Sequence, residues 1–209
     1  MTSGRVTVTP FNGTNHKLKM KKNTQAIHLP YRRRDAYDAL SMPVYNAVAY
    51  EFDDAKTMAD AFCERIDAPD YSRCENPTVN NFEDRVRALT DAFSVTALNS
   101  GMAAISNIML ALTAQGKNVV SSTHMFGNTF DLLNRSLRKF GVGLHTTDLT
   151  DMEKVKQAVD DNTCCIFVEI ITNPQMEVAD LAALASVAHE HHIPLVADTT
   201  TIPFTMFSA

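Results

Sequence analysis

Apolar positions along this chain follow one period at first and a different one later. From Ala55 to Arg65, the residues Ala55, Met58, Ala59 and Phe62 recur at helical spacing. A second helical stripe, Val79, Phe82, Val86 and Leu89, follows Pro77, a residue suited to the first turn of a helix. Between them, residues 67–76 hold Pro69, Tyr71, Arg73 and Asn76 and read as loop. Beyond Asp91, short apolar runs alternate with helical segments. Strands are predicted over 92–98, 118–122, 142–147, 163–170 and 193–198. Helices are predicted over 101–114 with Ser100 as N-cap, and over 128–140 with Gly141 as the stop. A further helix opens at the capping-box spacing Thr150-Asp151-Met152-Glu153. The last follows Asp180, with Leu181, Leu184 and Ala188 on one face.

Five strands separated by four helices, with short connections, imply parallel strands joined by right-handed crossovers. The strands are apolar throughout, as strands covered on both faces are. The expected fold is therefore α/β, a mostly parallel sheet with crossover helices, preceded by an extended N-terminal arm. Residues 1–34 are polar and basic without periodicity. The domain reading is a disordered basic leader over 1–22, an arm and helix over 23–66, and an α/β domain over 67–209.

Composition narrows the class only a little. The chain has 209 residues, 45% hydrophobic and 21% charged, which is ordinary for a globular domain. No apolar run approaches the roughly 18 residues of a membrane span, and no basic-then-apolar signal pattern opens the chain. A cytoplasmic protein without membrane contact is expected. Eight of the 19 basic residues precede Asp35, leaving 11 to face all 24 acids in the rest of the chain. An acidic body argues against nucleic-acid binding despite the basic leader. The four cysteines form no C-x-x-C pair, and Cys164 and Cys165 should face opposite sides of a strand.

In an open parallel sheet, ligands bind beyond the carboxyl ends of the strands. The first predicted strand leads to Asn99-Ser100-Gly101-Met102, a small-residue turn entering a helix and a natural phosphate seat. A plain N-cap with a close-packed glycine would give the same pattern. The second leads to Phe126, either a flat apolar face for an aromatic ligand or a core residue. The fourth ends in Glu169 and places Asn173 before Pro174, where Asn-Pro also forms turns. The fifth ends in Asp198-Thr199-Thr200-Thr201. A carboxylate at the end of an apolar strand needs a partner, which a protonated ring nitrogen, a metal or a helix cap would supply. Together these ends suit a phosphorylated, aromatic, nitrogen-containing ligand. The cluster "HEHH" (189–192) lacks the H-E-x-x-H spacing and sits at a helix end, so no metal is expected there. His124 and His145 have no partner evident in the sequence.

Five motifs, "YSRCENPT" (71–78), "NSGMAAI" (99–105), "FGNTF" (126–130), "EIITNP" (169–174) and "VADTTTIP" (196–203), occur in a characteristic order. From about Thr24 to Ala209 the chain resembles the pyridoxal-phosphate (PLP) enzymes of Cys/Met metabolism. That family includes cystathionine γ-synthase, cystathionine lyases, methionine γ-lyase and O-acetylhomoserine sulfhydrylase. The resemblance implies an incomplete PLP-dependent transferase-like large domain, with the C-terminal domain absent. It implies PLP held by Ser100, Gly101, Met102, Phe126, Asn173, Asp198 and Thr200. The Gly101 and Met102 amides would meet the phosphate, Asn173 the ring hydroxyl and Asp198 the ring nitrogen. Tyr71 and Arg73 look like the pair that reaches a neighbouring subunit's phosphate, in a dimer-based tetramer. Phe126 stands where the family usually has tyrosine, and Thr199 where it commonly has asparagine. Glu169 matches a family acid without an assigned role. The Schiff-base lysine would follow Ala209, so no catalytic residue is assigned and the chain alone is expected to be inactive and to bind PLP weakly or not at all. The reaction implied is γ-replacement on an O-acylhomoserine by sulfide or a thiol. A methionine or cystathionine lyase, or a truncated non-catalytic paralogue, are the alternatives.

Overall fold

A computed structural model describes residues 21–29, 35 and 37–203. Most of the expected leader, residues 1–20, lies outside the described residues, as do residues 204–209. The centre is a four-stranded, all-parallel sheet of β1 (Asn118–Ser122), β2 (Gly143–Thr147), β3 (Thr163–Glu169) and β4 (Leu195–Asp198), in the order β2-β1-β3-β4. The helices are α1 (Lys22–His28), α2 (Ala55–Phe62), α3 (Pro77–Thr90), α4 (Gly101–Leu112), α5 (Gly127–Asp131), α6 (Met152–Ala158) and α7 (Leu181–Glu190). The α/β class expected from the sequence is the class observed. No helix among the described residues is long and apolar enough to cross a membrane.

Strand alternation divides the core into two layers. Val120, Ile166 and Val168 pack with Val155 of α6 and with Leu184, Val187 and Ala188 of α7. Val119, Cys165 and Phe167 pack on the opposite face with Ile105 and Met109 of α4 and with Leu133 and Leu137. A period of two along each strand produces this division. It buries Cys165 fully while Cys164 stays partly exposed. The chain leaves β1 through α5 to β2, then crosses back over β1 through α6 to β3. The strand order therefore reverses between β1 and β3, and a crevice opens beyond their carboxyl ends.

Several local expectations hold in detail. Ser100 Oγ accepts the Ala103 amide at 3.1 Å, Asp180 that of Ala183 at 3.0 Å, and Pro77 opens α3 behind an Asn76 cap. Gly141 ends its helical stretch at a φ of 78°, a left-handed turn that glycine adopts without strain.

Other expectations are corrected. Residues 92–98 form no strand. Their β-branched and aromatic character suits one, but no neighbouring edge pairs with them among the described residues. The Ala97 amide donates instead to the Glu83 carboxylate at 2.7 Å, and Phe93 is fully exposed. The sheet accordingly has four strands rather than five. The helix expected over 128–140 starts at Gly127, and after α5 it widens into a π turn at Leu132–Ser136. It then tightens into a 3-10 turn at Leu137–Phe140. The cap of α6 is Asp151, which accepts the Glu153 and Lys154 amides, whereas the Thr150 hydroxyl donates to Asp148. The arm is not wholly extended, because residues 22–28 form α1. The Arg85 guanidinium of α3 donates to the carbonyls of Ala26, Ile27 and Leu29 and so closes the helix end. A cap supplied from more than fifty residues away leaves no local trace in the sequence.

Candidate functional site

A cleft of about 210 Å³ lies in that crevice. Its walls include Gly101 and Met102 of α4, Phe126 before α5, Glu169 at the end of β3, Asn173 in the following loop, and Asp198 at the end of β4. Thr200 completes the set that the sequence had placed at strand ends. The parallel sheet brings Phe126, Glu169, Asn173 and Asp198 to one edge, because every strand ends on the same side, and the start of α4 lines the cleft beside them.

The Ser100 side chain satisfies the Ala103 amide, so the first amides of α4, at Gly101 and Met102, point beyond the helix end without intrahelical acceptors. A Cβ built on Gly101 would meet nothing within 4 Å, and its backbone is not left-handed. Close packing therefore does not explain this glycine, as the alternative reading of the turn required. The bare backbone leaves open space in front of the positive end of a twelve-residue helix.

The opposite wall is acidic. Glu169 and Asp198 are register partners on adjacent parallel strands, so their side chains leave the sheet on the same face. Asp198 accepts the amide of Thr200 at 2.8 Å and its hydroxyl at 2.5 Å. Glu169 is only 7% exposed. Burial pushes its carboxyl above the usual glutamate range; the Phe126 amide partly offsets this, and the neighbouring Asp198 charge raises it again. No basic residue appears among the described residues of the cleft wall. Two adjacent acids without a base are locally unfavourable, and a cationic group entering the cleft would relieve both. Thr129 adds a buried hydroxyl with no hydrogen-bond partner in the described structure. Such groups are uncommon in finished interiors.

Phe126 is 45% exposed at the mouth, a surface residue of the cleft rather than a core phenylalanine. Its own amide donates to Glu169 Oε1 at 2.7 Å. The Asn173 amide lies near the Glu169 carboxylate and slightly lowers its pKa, a weaker contact than the bond from Phe126. The sequence reading left the role of Glu169 open and did not foresee the bond from Phe126. The available signal was its position at the end of a buried strand, the same position that singled out Asp198. His124, thought to lack a partner, places Nδ1 2.9 Å from Glu177 Oε2 at the rim, and His145 Nδ1 lies 3.1 Å from the Ala158 carbonyl. Tyr71 and Arg73 are not brought to the cleft. They lie together on the surface, the Arg73 guanidinium 5.2 Å from the Tyr71 ring centroid in a cation–π contact.

Anion-seeking amides at one end and paired acids at the other suit a flat ligand carrying opposite charges at its two ends, held at the switch point of an α/β sheet. Proteins built around a phosphorylated cofactor with a protonatable ring form such a class. Over residues 23–208 the chain matches the profile of the Cys/Met metabolism PLP-dependent enzymes, and it belongs to that family. It is 36% identical over 177 residues to sulfhydrylase FUB7 of Fusarium oxysporum f. sp. lycopersici, a match covering 85% of this chain and 41% of the relative. It is 34% identical over 182 residues to an L-methionine gamma-lyase of Fusobacterium nucleatum subsp. nucleatum, covering 86% and 46%. A crystal structure from Campylobacter jejuni, assigned as an O-acetylhomoserine (thiol)-lyase, superposes with a TM-score of 0.79 at 30% identity. That match covers 86% of this chain and 44% of the other. The chain thus spans less than half the length of these relatives.

Proposed function

We propose that this cleft holds pyridoxal phosphate for γ-replacement on an O-acylhomoserine, with sulfide or a thiol as the incoming nucleophile. The observation that carries the reading is the charge layout, free helix amides at Gly101 and Met102 facing two adjacent carboxylates with no base. The amides take the phosphate, the face of Phe126 supports the ring, and the Asn173 side chain meets the ring hydroxyl. Asp198 holds a proton on the ring nitrogen, aided by the two Thr200 bonds that fix its carboxylate. The bound cofactor supplies an electron sink for charge developing next to the substrate amine. Phe126 carries no hydroxyl, so it shapes and dries the cleft but moves no proton. Tyr71 and Arg73, with the exposed apolar residues Val44, Val48 and Phe82, suit contact with a second subunit.

A γ-elimination of methionine is the second reading, favoured by the 34% identity to an L-methionine gamma-lyase. Titration of the chain with PLP, followed by its absorbance, tests the cleft: saturable binding that weakens in Asp198→Ala is expected. Binding unaffected by Asp198→Ala would remove the reading. For the reaction, the native protein is purified from its source and supplied with O-acetylhomoserine and sulfide, or with methionine. Homocysteine formation supports replacement, and ammonia with a keto acid supports the lyase.

A further inference from the structure

Glu169 is the one titratable group in the cleft to which the proposed function gives no task. It is also the most deeply buried acid there. We infer that Glu169 is a positioning residue: from the end of β3 its carboxylate holds the Phe126 backbone amide beside the Asn173 loop and so fixes the spacing of the two loops that form the cleft. The inference rests on the reading that this cleft receives a flat cofactor ring, because the width between those loops is what such a ring would sense.

Three observations lead to this role. The first is geometric. Phe126 lies on the loop leaving β1, and Asn173 on the loop leaving β3, and at the switch point these loops diverge to opposite faces of the sheet. Glu169 ends β3 between them, accepts the Phe126 amide at 2.7 Å and lies near that of Asn173. The second is chemical. The Phe126 side chain has no polar atom with which to anchor itself, so the location of its ring depends on where its backbone is held. The other bond between these loops, His124 to Glu177, joins two side chains about 40% exposed at the rim, where such pairs contribute little. The third is energetic. Burial and the Asp198 charge both work against an ionised Glu169, and the Phe126 and Asn173 amides only partly compensate. A neutral side chain would sit there at lower cost, so stability does not explain the acid. A carboxylate offers a strong acceptor to the Phe126 amide and a second oxygen toward the nearby Asn173 amide, which glutamine cannot match because one of its terminal atoms is a donor.

The test uses the 209-residue chain and two readouts, amide hydrogen exchange and affinity for PLP. In Glu169→Ala, the Phe126 amide is expected to exchange about tenfold faster or more, the size of losing a hydrogen bond to a charged acceptor, and the Asn173 amide faster by less. The Ile166 and Val168 amides, in the interior of β3, keep their protection. Affinity for PLP falls by about the same factor. Glu169→Gln retains one acceptor and shows a smaller loss on both readouts, and it carries the test if the alanine variant does not fold. Asp160→Ala serves as the control, because it removes bonds to Asn118 and Asn162 at the opposite end of the sheet. It should lower global stability and leave the Phe126 and Asn173 amides as protected, relative to β3, as in the wild type. Unchanged protection in Glu169→Ala overturns the inference, and so does an equal local loss in Asp160→Ala. Lost protection without lost affinity also overturns it. If the wild-type chain binds no PLP, the reading of the cleft fails, while the exchange data alone still decide whether Glu169 ties the loops.

Discussion

The sheet body, residues 101–198, and the segment before it, 37–98, place their apolar side chains differently. In the body, strands and helices close two core layers in which Met109, Val120, Ile166 and Leu184 are fully buried. In the leading segment Ala61 and Leu89 are the buried hydrophobic residues, whereas Tyr37, Leu40, Val44, Val48, Phe82 and Phe93 face solvent. Polar ties hold this segment. Asn76 Nδ2 donates to the Tyr45 carbonyl at 3.0 Å and to Ser72 Oγ at 2.9 Å, and the Tyr45 amide donates to Thr78 Oγ1 at 2.8 Å. The same chain thus has one region organised by the hydrophobic effect, which is non-directional and additive. The other depends on a few directional bonds, each of which can be lost singly.

The largest expected effect separates the two regions by apolar truncation. Phe167→Ala removes a buried ring between β3 and α4 and should cost about 3–5 kcal/mol in urea unfolding of the chain. Phe93→Ala, at a fully exposed ring, should stay within about 0.5 kcal/mol. Similar costs for the two would break the comparison. The converse experiment follows from Asn76, which is buried, caps α3 through the Thr78 amide at 2.9 Å and holds the 45–50 stretch. Asn76→Ala should cost about 2 kcal/mol, from a lost cap and stranded buried groups. Proteolysis should then begin within 37–76 while β1 to β4 stay protected. Arg85→Ala is smaller, about 1 kcal/mol. Its signature is loss of exchange protection in α1 alone, because only the carbonyls of 26–29 lose their donor.

The same contrast explains what the sequence could and could not reveal. The strand at 163–169 was legible because burial on both faces writes an apolar run into the chain itself. The shorter ones at 118–122, 143–147 and 195–198 were legible because short β-branched or apolar stretches stand there beside glycine or proline. Ser100, Asp180 and Gly141 were legible because a cap acts within three or four residues. Segment 92–98 misled because strand character is a property of residues, whereas a strand is a property of a pair. The cap of α6 moved by one residue because Asp148 competes for the Thr150 hydroxyl. In the cleft, Phe126, Asn173 and Asp198 could be placed from strand ends, and Gly101 from its small-residue turn into a helix, although the strand expected before it does not form. The task of Glu169 could not, because its donor is a backbone amide 43 residues away, and an amide carries no residue identity.

The smallest expected effect is the most pointed, because it asks whether the body was built wholly for stability. Burial holds the Glu169 carboxyl above the ordinary value of 4.5, with the Phe126 amide pulling the other way and Asp198 adding to the rise. The folded protein therefore binds that proton more tightly than the unfolded chain does. Stability falls as pH rises from the ordinary value through the raised one, and the penalty is fully present above both. Glutamine does not titrate. Urea midpoints of wild type and Glu169→Gln should consequently differ more in the variant's favour at about pH 7 than at about pH 4, where both side chains are neutral. A wild-type advantage that grows towards neutral pH would mean that the two amides outweigh burial and that Glu169 stabilises the fold. The expected result, a variant no less stable yet looser at Phe126 and Asn173, would place the cost of an acid inside the best-packed region on the side of function.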